Sequence, residues 1–171
     1  GAVVERFHHV PFLIYDLINE PSFSNPKRLW QTRPNGDEFE QQLWTNWLLR
    51  RYKDREAVAA AWHLTTLPSE GPLPLPEDID FSNTGTISAK SAARAHDYIQ
   101  FAQESFAAWA ETLRNSIRAA GSKQFVTVGQ DEGGVGDRLL VSYFGESVDF
   151  TTNHTWWLND ALLWDSLAAT L

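Results

Sequence analysis

The chain has no cysteine, which excludes a disulfide framework and any metal site built on thiolates. It has no methionine either, not even at position 1, and no opening stretch in which a basic start precedes an apolar run. A processed, excised or partial product is therefore expected. No segment approaches the roughly 20 consecutive apolar residues of a membrane span. Basic residues are also in deficit, 14 Lys and Arg against 22 Asp and Glu, for a formal charge of −8. Nucleic acid and anionic membranes both need a basic face, so neither is expected as a partner. What the chain has in excess is tryptophan, eight in 171 residues. Tryptophan serves either as a large core side chain or as a flat platform for stacking.

Residues 1–9 read as the tail of a helix or turn, and residues 11–18 as a first strand, apolar until it ends in Asn19-Glu20-Pro21. Period 2 puts Phe12, Ile14, Asp16, Ile18 and Glu20 on one face and Leu13, Tyr15, Leu17 and Asn19 on the other. Both faces are largely apolar, as in a parallel sheet covered on both sides, and a carboxylate such as Asp16 inside that strand needs a partner. Pro21 stops the ladder, which leaves Glu20 at the rim of a sheet, within reach of water and ligand. Residues 22–36 carry Pro26, Pro34 and Asn35-Gly36 and read as a long loop.

Asp37 suits an N-cap, with Phe39, Leu43, Trp44, Trp47, Leu48 and Arg51 at helical spacing through Tyr52. Asp54 caps a shorter helix that runs to about Trp62. Residues 67–80, with four prolines, are expected to run extended over the surface. A long helix over 88–120 presents Ile99, Ala102, Phe106, Trp109, Leu113 and Ile117, and Gly121 closes it. Residues 123–128 form a second strand that ends in the polar turn Gly129-Gln130-Asp131-Glu132-Gly133-Gly134. A short helical crossing over 138–145, a third strand over 147–153 and a final helix over 161–171 complete the chain. Alternation of this kind predicts an α/β fold with parallel strands and crossover helices.

The polar residues gather at the C-terminal ends of the predicted strands: Asn19-Glu20, Gln130-Asp131-Glu132, and Asn153-His154 with Trp156 and Trp157. Active sites of parallel α/β folds lie at that edge. From spacing alone, Asn19-Glu20 fits a capping or loop-solvating pair as well as it fits a site. A general acid needs a carboxyl group that stays protonated near neutrality, which partial burial among aromatic side chains favours. Trp44, Trp47, Trp109 and Trp164 sit at helical spacing and are expected in the core. Trp156 and Trp157 follow a strand end, where an indole can stack on a sugar ring, and Trp30 is a further platform candidate. His8-His9 has no carboxylate or cysteine nearby to complete a metal site, and the glycine-rich 129–136 lacks the Gly-Lys-Ser/Thr of a phosphate loop. No motif asks for a cofactor.

The run Ile14-Tyr15-Asp16-Leu17-Ile18-Asn19-Glu20-Pro21 resembles the fourth-strand motif of clan A glycoside hydrolases, most closely family 5, the cellulase and mannanase relatives. Those enzymes are (β/α)8 TIM barrels that cleave β-glycosidic bonds with retention. The resemblance implies that Glu20 is the general acid/base and that Asn19 bonds the 2-hydroxyl of the sugar being cleaved. It also implies that the chain is a partial catalytic domain over residues 1–171, about half a barrel, covering strands four to six. Arg50 to Trp62 resembles a segment that follows the acid/base strand in related β-glycosidases. Asn153-His154-Thr155-Trp156 resembles the His-x-Tyr of the sixth strand, which makes His154 a sugar-binding residue. Trp156 departs from the family's Tyr there, and an indole N–H donates a hydrogen bond but accepts none.

Retention needs a second carboxylate as nucleophile. In this clan it ends the seventh strand, and no glutamate follows Glu146 here. The resemblance thus implies a carbohydrate-cleaving enzyme of which this chain alone is inactive. Glu132 is either a substitute nucleophile, a cleft-lining residue beside Gln130, or a loop carboxylate held by the amides of Gly133-Gly134. The alternative to an enzyme is a non-catalytic carbohydrate-binding or scaffold half-barrel. A half-barrel of either kind can pair into a homo-oligomer through its exposed sheet edges.

Overall fold

In the computed structural model of the chain, the described residues are 1–21, 24–25, 28–32, 36–76, 89–130 and 139–152. They form two compact units, Phe23–Ala102 and the discontinuous Gly1–Ser22 with Gln103–Leu171.

The unit Phe23–Ala102 is built on helices. Helix α2 (Glu38–Tyr52) starts where expected, because the Asp37 carboxylate accepts from the Glu40 N–H at 2.8 Å. Helix α3 (Arg55–Ala61) is capped in the same way, by Asp54 on the Ala57 N–H at 2.8 Å. Two acidic caps at helix N-termini satisfy otherwise orphaned N–H groups and favour the helix dipole. The N-terminal part of α4 (Ala89–Ala119) completes the helical layer.

The core of this unit is a tryptophan stack. Trp44 lies parallel to Trp47 and Trp62, with ring centroids at 5.7 and 5.9 Å, and meets Tyr98 and Phe101 edge-on. Leu48, Val58 and Leu73 fill the space around it. The indole N–H of Trp44 donates to the Pro74 carbonyl and that of Trp62 to Asp97, which also accepts from the Tyr52 hydroxyl. A buried carboxylate with two neutral donors, and Arg51 at 3.8 Å, has the partners that burial demands.

Several expectations for this unit need correcting. Residues 22–36 are not simply a loop, since Ser24–Asn25 (β2) pairs antiparallel with Arg28–Thr32 (β3). The stripe on α2 is narrower than its spacing suggested, because Phe39 and Leu43 are exposed while Trp44, Trp47 and Leu48 are buried. The proline-rich segment is extended as expected over 67–76 but is not purely surface. Leu73 is buried, and the Arg55 guanidinium donates to the carbonyls of Pro68 and Gly71, which pins the segment without a ladder partner.

In the other unit, helix α1 (Ala2–Phe7) precedes a turn, and strand β1 (Tyr15–Asn19) begins four residues later than position 11. The Gln124 amide fixes that turn by donating to the carbonyls of Phe7 and Val10. Strand β4 (Val126–Gly129) pairs with β1 in parallel, with Tyr15 opposite Val126. Val4, Ile117 and Val126 form the core beneath them, joined by Tyr15, Leu17 and Ala120. The C-terminal part of α4 ends at Gly121, whose φ of 89° supplies the left-handed closure expected of it.

It is β4 that is covered on both faces. On β1, Tyr15 and Leu17 pack inward, but Phe12 (87% exposed), Ile14 and Ile18 stay open, because α1 and α4 cover one side only. Trp109 is likewise exposed, at 39%, against the expectation that it sits in the core.

Helix α5 (Val141–Phe144) and the 3₁₀ turn Gly145–Ser147 match the expected crossing. The described part of the predicted third strand, through residue 152, is not a ladder strand. It runs beside β4, but side chains make most of the bonds. Asp149 gives its N–H to the Val126 carbonyl and takes the Val126 N–H on its carboxylate at 2.7 Å, and Thr127 and Thr152 hydroxyls bond the Phe150 and Val128 carbonyls. Where a carboxylate takes the N–H that a strand carbonyl would take, the regular ladder does not form. Trp164 and the predicted helix over 161–171 lie outside the described residues.

Candidate functional site

Strands β1 and β4 are neighbours and parallel, so their C-terminal ends open on the same edge. That edge carries Asn19 and Glu20 from one strand and Gly129 and Gln130 from the other, with Asn19 opposite Gly129. The structure thus brings together Asn19, Glu20 and Gln130. Glu132, His154, Trp156 and Trp157 lie outside the described residues, as does the side chain of Trp30.

Glu20 is half-buried and Asn19 exposed. The peptide N–H of Glu20 donates to the Gly129 carbonyl at 2.6 Å, and its backbone takes φ 48°. A positive φ is uncommon for a non-glycine residue and costs of order 1–3 kcal/mol where the surroundings enforce it. Here the contact that holds it is the bond to Gly129, made against the extended preference that the following proline imposes. An acid held in this way at a strand end is fixed in place while its side chain stays within reach of water.

Gln130 is only 2% exposed. Its side-chain N–H₂ donates to the Leu139 carbonyl at 2.8 Å, and its Oε1 is buried without a hydrogen-bond partner among the described residues. A buried amide oxygen in that condition carries a desolvation cost.

Sequence reasoning recognised that Asp16 requires a partner but did not find it. The partner is the peptide N–H of Gly129, which donates to Asp16 Oδ1 at 2.7 Å. A β-carbon added at Gly129 stands 2.7 Å from Asp16 Oδ2, so no other residue fits there without displacing the carboxylate. The signal for this was a glycine at the end of a strand, where it often marks close approach.

No cluster of three or more metal-ligating side chains occurs among the described residues. His8 is engaged at the end of α1, with Nδ1 at 2.9 Å from the Glu5 carbonyl. A groove of about 1020 Å³, lined by Leu49, Lys53, Arg55, Thr65 and Ser69 among others, belongs wholly to the unit Phe23–Ala102 and holds none of the strand-end residues.

No protein-family model and no curated protein matches the chain. Among solved structures it is similar to a polyextremophilic β-galactosidase from the Antarctic haloarchaeon Halorubrum lacusprofundi, with a TM-score of 0.59 and 19% identity. The match covers 91% of this chain and 22% of that one. The chain therefore spans about a fifth of the length of that protein and shares the fold of the part it matches, a mixed α/β arrangement around a parallel pair of strands.

Proposed function

We propose that this chain is the acid/base-bearing part of a retaining glycoside hydrolase acting on β-glycosidic bonds, with Glu20 as the general acid/base. The observation that carries the reading is the placement of Asn19-Glu20 at the C-terminal end of a parallel strand, beside the end of its neighbour. The fold shared with part of a β-galactosidase supports it and makes a β-galactoside the first substrate to try. On this reading the two strands belong to a (β/α)8 barrel of the clan A, family 5-like type, and the nucleophile lies outside the 171 residues.

The chemistry follows from one group used twice. The Glu20 carboxyl gives its proton to the glycosidic oxygen as the bond from that oxygen to the anomeric carbon breaks, and a second carboxylate about 5–5.5 Å away attacks the carbon from the other face. The Glu20 carboxylate then takes a proton from the water that displaces the enzyme ester. Asn19 bonds the 2-hydroxyl, and Gln130, Glu132, His154, Trp156 and Trp157 make up the sugar-binding set.

The test is hydrolysis of aryl β-galactosides by protein expressed with the coding sequence on both sides of Gly1 and Leu171. Glu20→Ala should slow turnover of poor leaving groups by roughly 10²–10⁴-fold. Added azide, which needs no base, should restore the second step and yield the β-glycosyl azide. The 171-residue chain alone should show no turnover. Unchanged rates in Glu20→Ala, or Glu20-dependent turnover by the chain alone, would overturn the proposal in its acid/base or its nucleophile part respectively. Oligosaccharide binding that survives Glu20→Gln in a protein without turnover would instead favour the non-catalytic carbohydrate-binding half-barrel.

A further inference from the structure

The pairing of β1 with β4 starts in register and ends out of it. Tyr15 donates to the Phe125 carbonyl, with Tyr15 opposite Val126 and Asp16 opposite Thr127. In an unbroken parallel ladder that begins this way, the Gly129 N–H goes to the Leu17 carbonyl and the Asn19 N–H goes to the Gly129 carbonyl. The observed pairing is shifted from that pattern, with Asn19 opposite Gly129. The Gly129 N–H goes to the Asp16 carboxylate, and it is Glu20 whose N–H reaches the Gly129 carbonyl. Between Asp16 and Asn19, β1 therefore holds one residue more than β4 holds between Thr127 and Gly129.

A one-residue bulge re-aims the side chains that follow it, because strand periodicity is 2. The alternation shows the break: Tyr15 and Leu17 are half-buried, Asp16 and Ile18 exposed, then Asn19 is exposed and Glu20 half-buried. We propose that Asp16 is a positioning residue for Glu20: its carboxylate accepts from the Gly129 N–H where the register shifts and so holds the bulge that presents the acid. Gly129 is the other half of the device, since any β-carbon there collides with that carboxylate. The inference rests on the acid/base role of Glu20 given above, but its geometric part can be read without activity.

The test uses Asp16→Ala, Asp16→Asn and Gly129→Ala, with two readouts. The first is amide hydrogen exchange in the 171-residue chain. Asp16→Ala and Gly129→Ala should deprotect the Gly129 and Glu20 N–H groups by about tenfold or more, the scale expected for loss of a charge-assisted bond. Asp16→Asn keeps an acceptor oxygen and should retain the protection. The second is the dependence of turnover on leaving-group basicity, measured on aryl β-galactosides with the longer protein. A misplaced acid should slow poor leaving groups and spare 2,4-dinitrophenolate, which needs no proton. A merely structural loss should slow both alike.

Unchanged Glu20 and Gly129 amides in the folded Asp16→Ala and Gly129→Ala proteins would overturn the positioning role, whatever Glu20 does. Should either variant fail to fold, the other and Asp16→Asn still decide the matter: an Asp16→Asn protein with deprotected amides contradicts the role of the oxygen acceptor. Deprotected amides with no leaving-group effect would overturn the catalytic consequence while leaving the bulge in place. Failure of Glu20→Ala to alter turnover, with the amide result as expected, would locate the error in the acid/base reading.

Discussion

Tyr98 shows what a single hydroxyl contributes in the tryptophan-lined unit. Its O–H donates to the Glu40 carboxylate at 2.6 Å, and its ring meets Trp44 edge-on. Burial, followed by the negative charge and hydrogen bond of Glu40, holds the phenol far above its ordinary value of 10.0. The folded state therefore keeps a proton that the unfolded chain releases once the pH passes about 10. The linked stability is fully present below that pH and is lost as the pH rises above it, by up to roughly 1.4 kcal/mol per pH unit. Urea denaturation at a series of pH values from 9 to 11.5 should show this fall in the wild type and a shallower one in Tyr98→Phe. Equal slopes would mean that the unfolded state holds the proton as firmly as the fold does.

At the scale of elements, what could be read in advance follows how local the signal is. Helices α2, α3 and α4 were legible because their ends are marked by neighbouring residues, Asp37, Asp54 and Gly121, whose caps act over three or four positions. Replacing Asp37 by Ala should cost about 1 kcal/mol in a thermal or urea melt, while Asp37→Asn should cost little, since both side chains accept from the Glu40 N–H. The hairpin β2–β3 escaped notice because prolines and Asn35-Gly36 dominate its surroundings.

The faces of β1 were misjudged for a different reason. Phe12, Ile14 and Ile18 have core chemistry, but burial depends on what is stacked above them, which no local pattern encodes. The candidate site divides in the same way. Glu20 was conspicuous from its own neighbours, Asn19 and Pro21. Its register was not, because that depends on Asp16 meeting a glycine 113 residues away.

At the scale of the whole molecule, the order of the chain and the order of the structure differ. Residues 23–102 form one unit, inserted between the two pieces of the other. Contacts within the inserted unit join α2, α3, the segment after them and the N-terminal part of α4, none separated as far along the chain as the Asp16–Gly129 contact of the parallel pair. The parallel pair, by contrast, forms only after the loop from β1 to β4 has closed, and each doubling of such a loop adds only about 0.6 kcal/mol of entropy but slows the search. In refolding followed by pulsed hydrogen exchange, amides of α2 and α3 should be protected before those of β4. Simultaneous protection would mean that the ladder nucleates with the helices. A bulge that forms last is also a late-forming site, so during folding the presentation of Glu20 arrives only with the final closure of the chain upon itself.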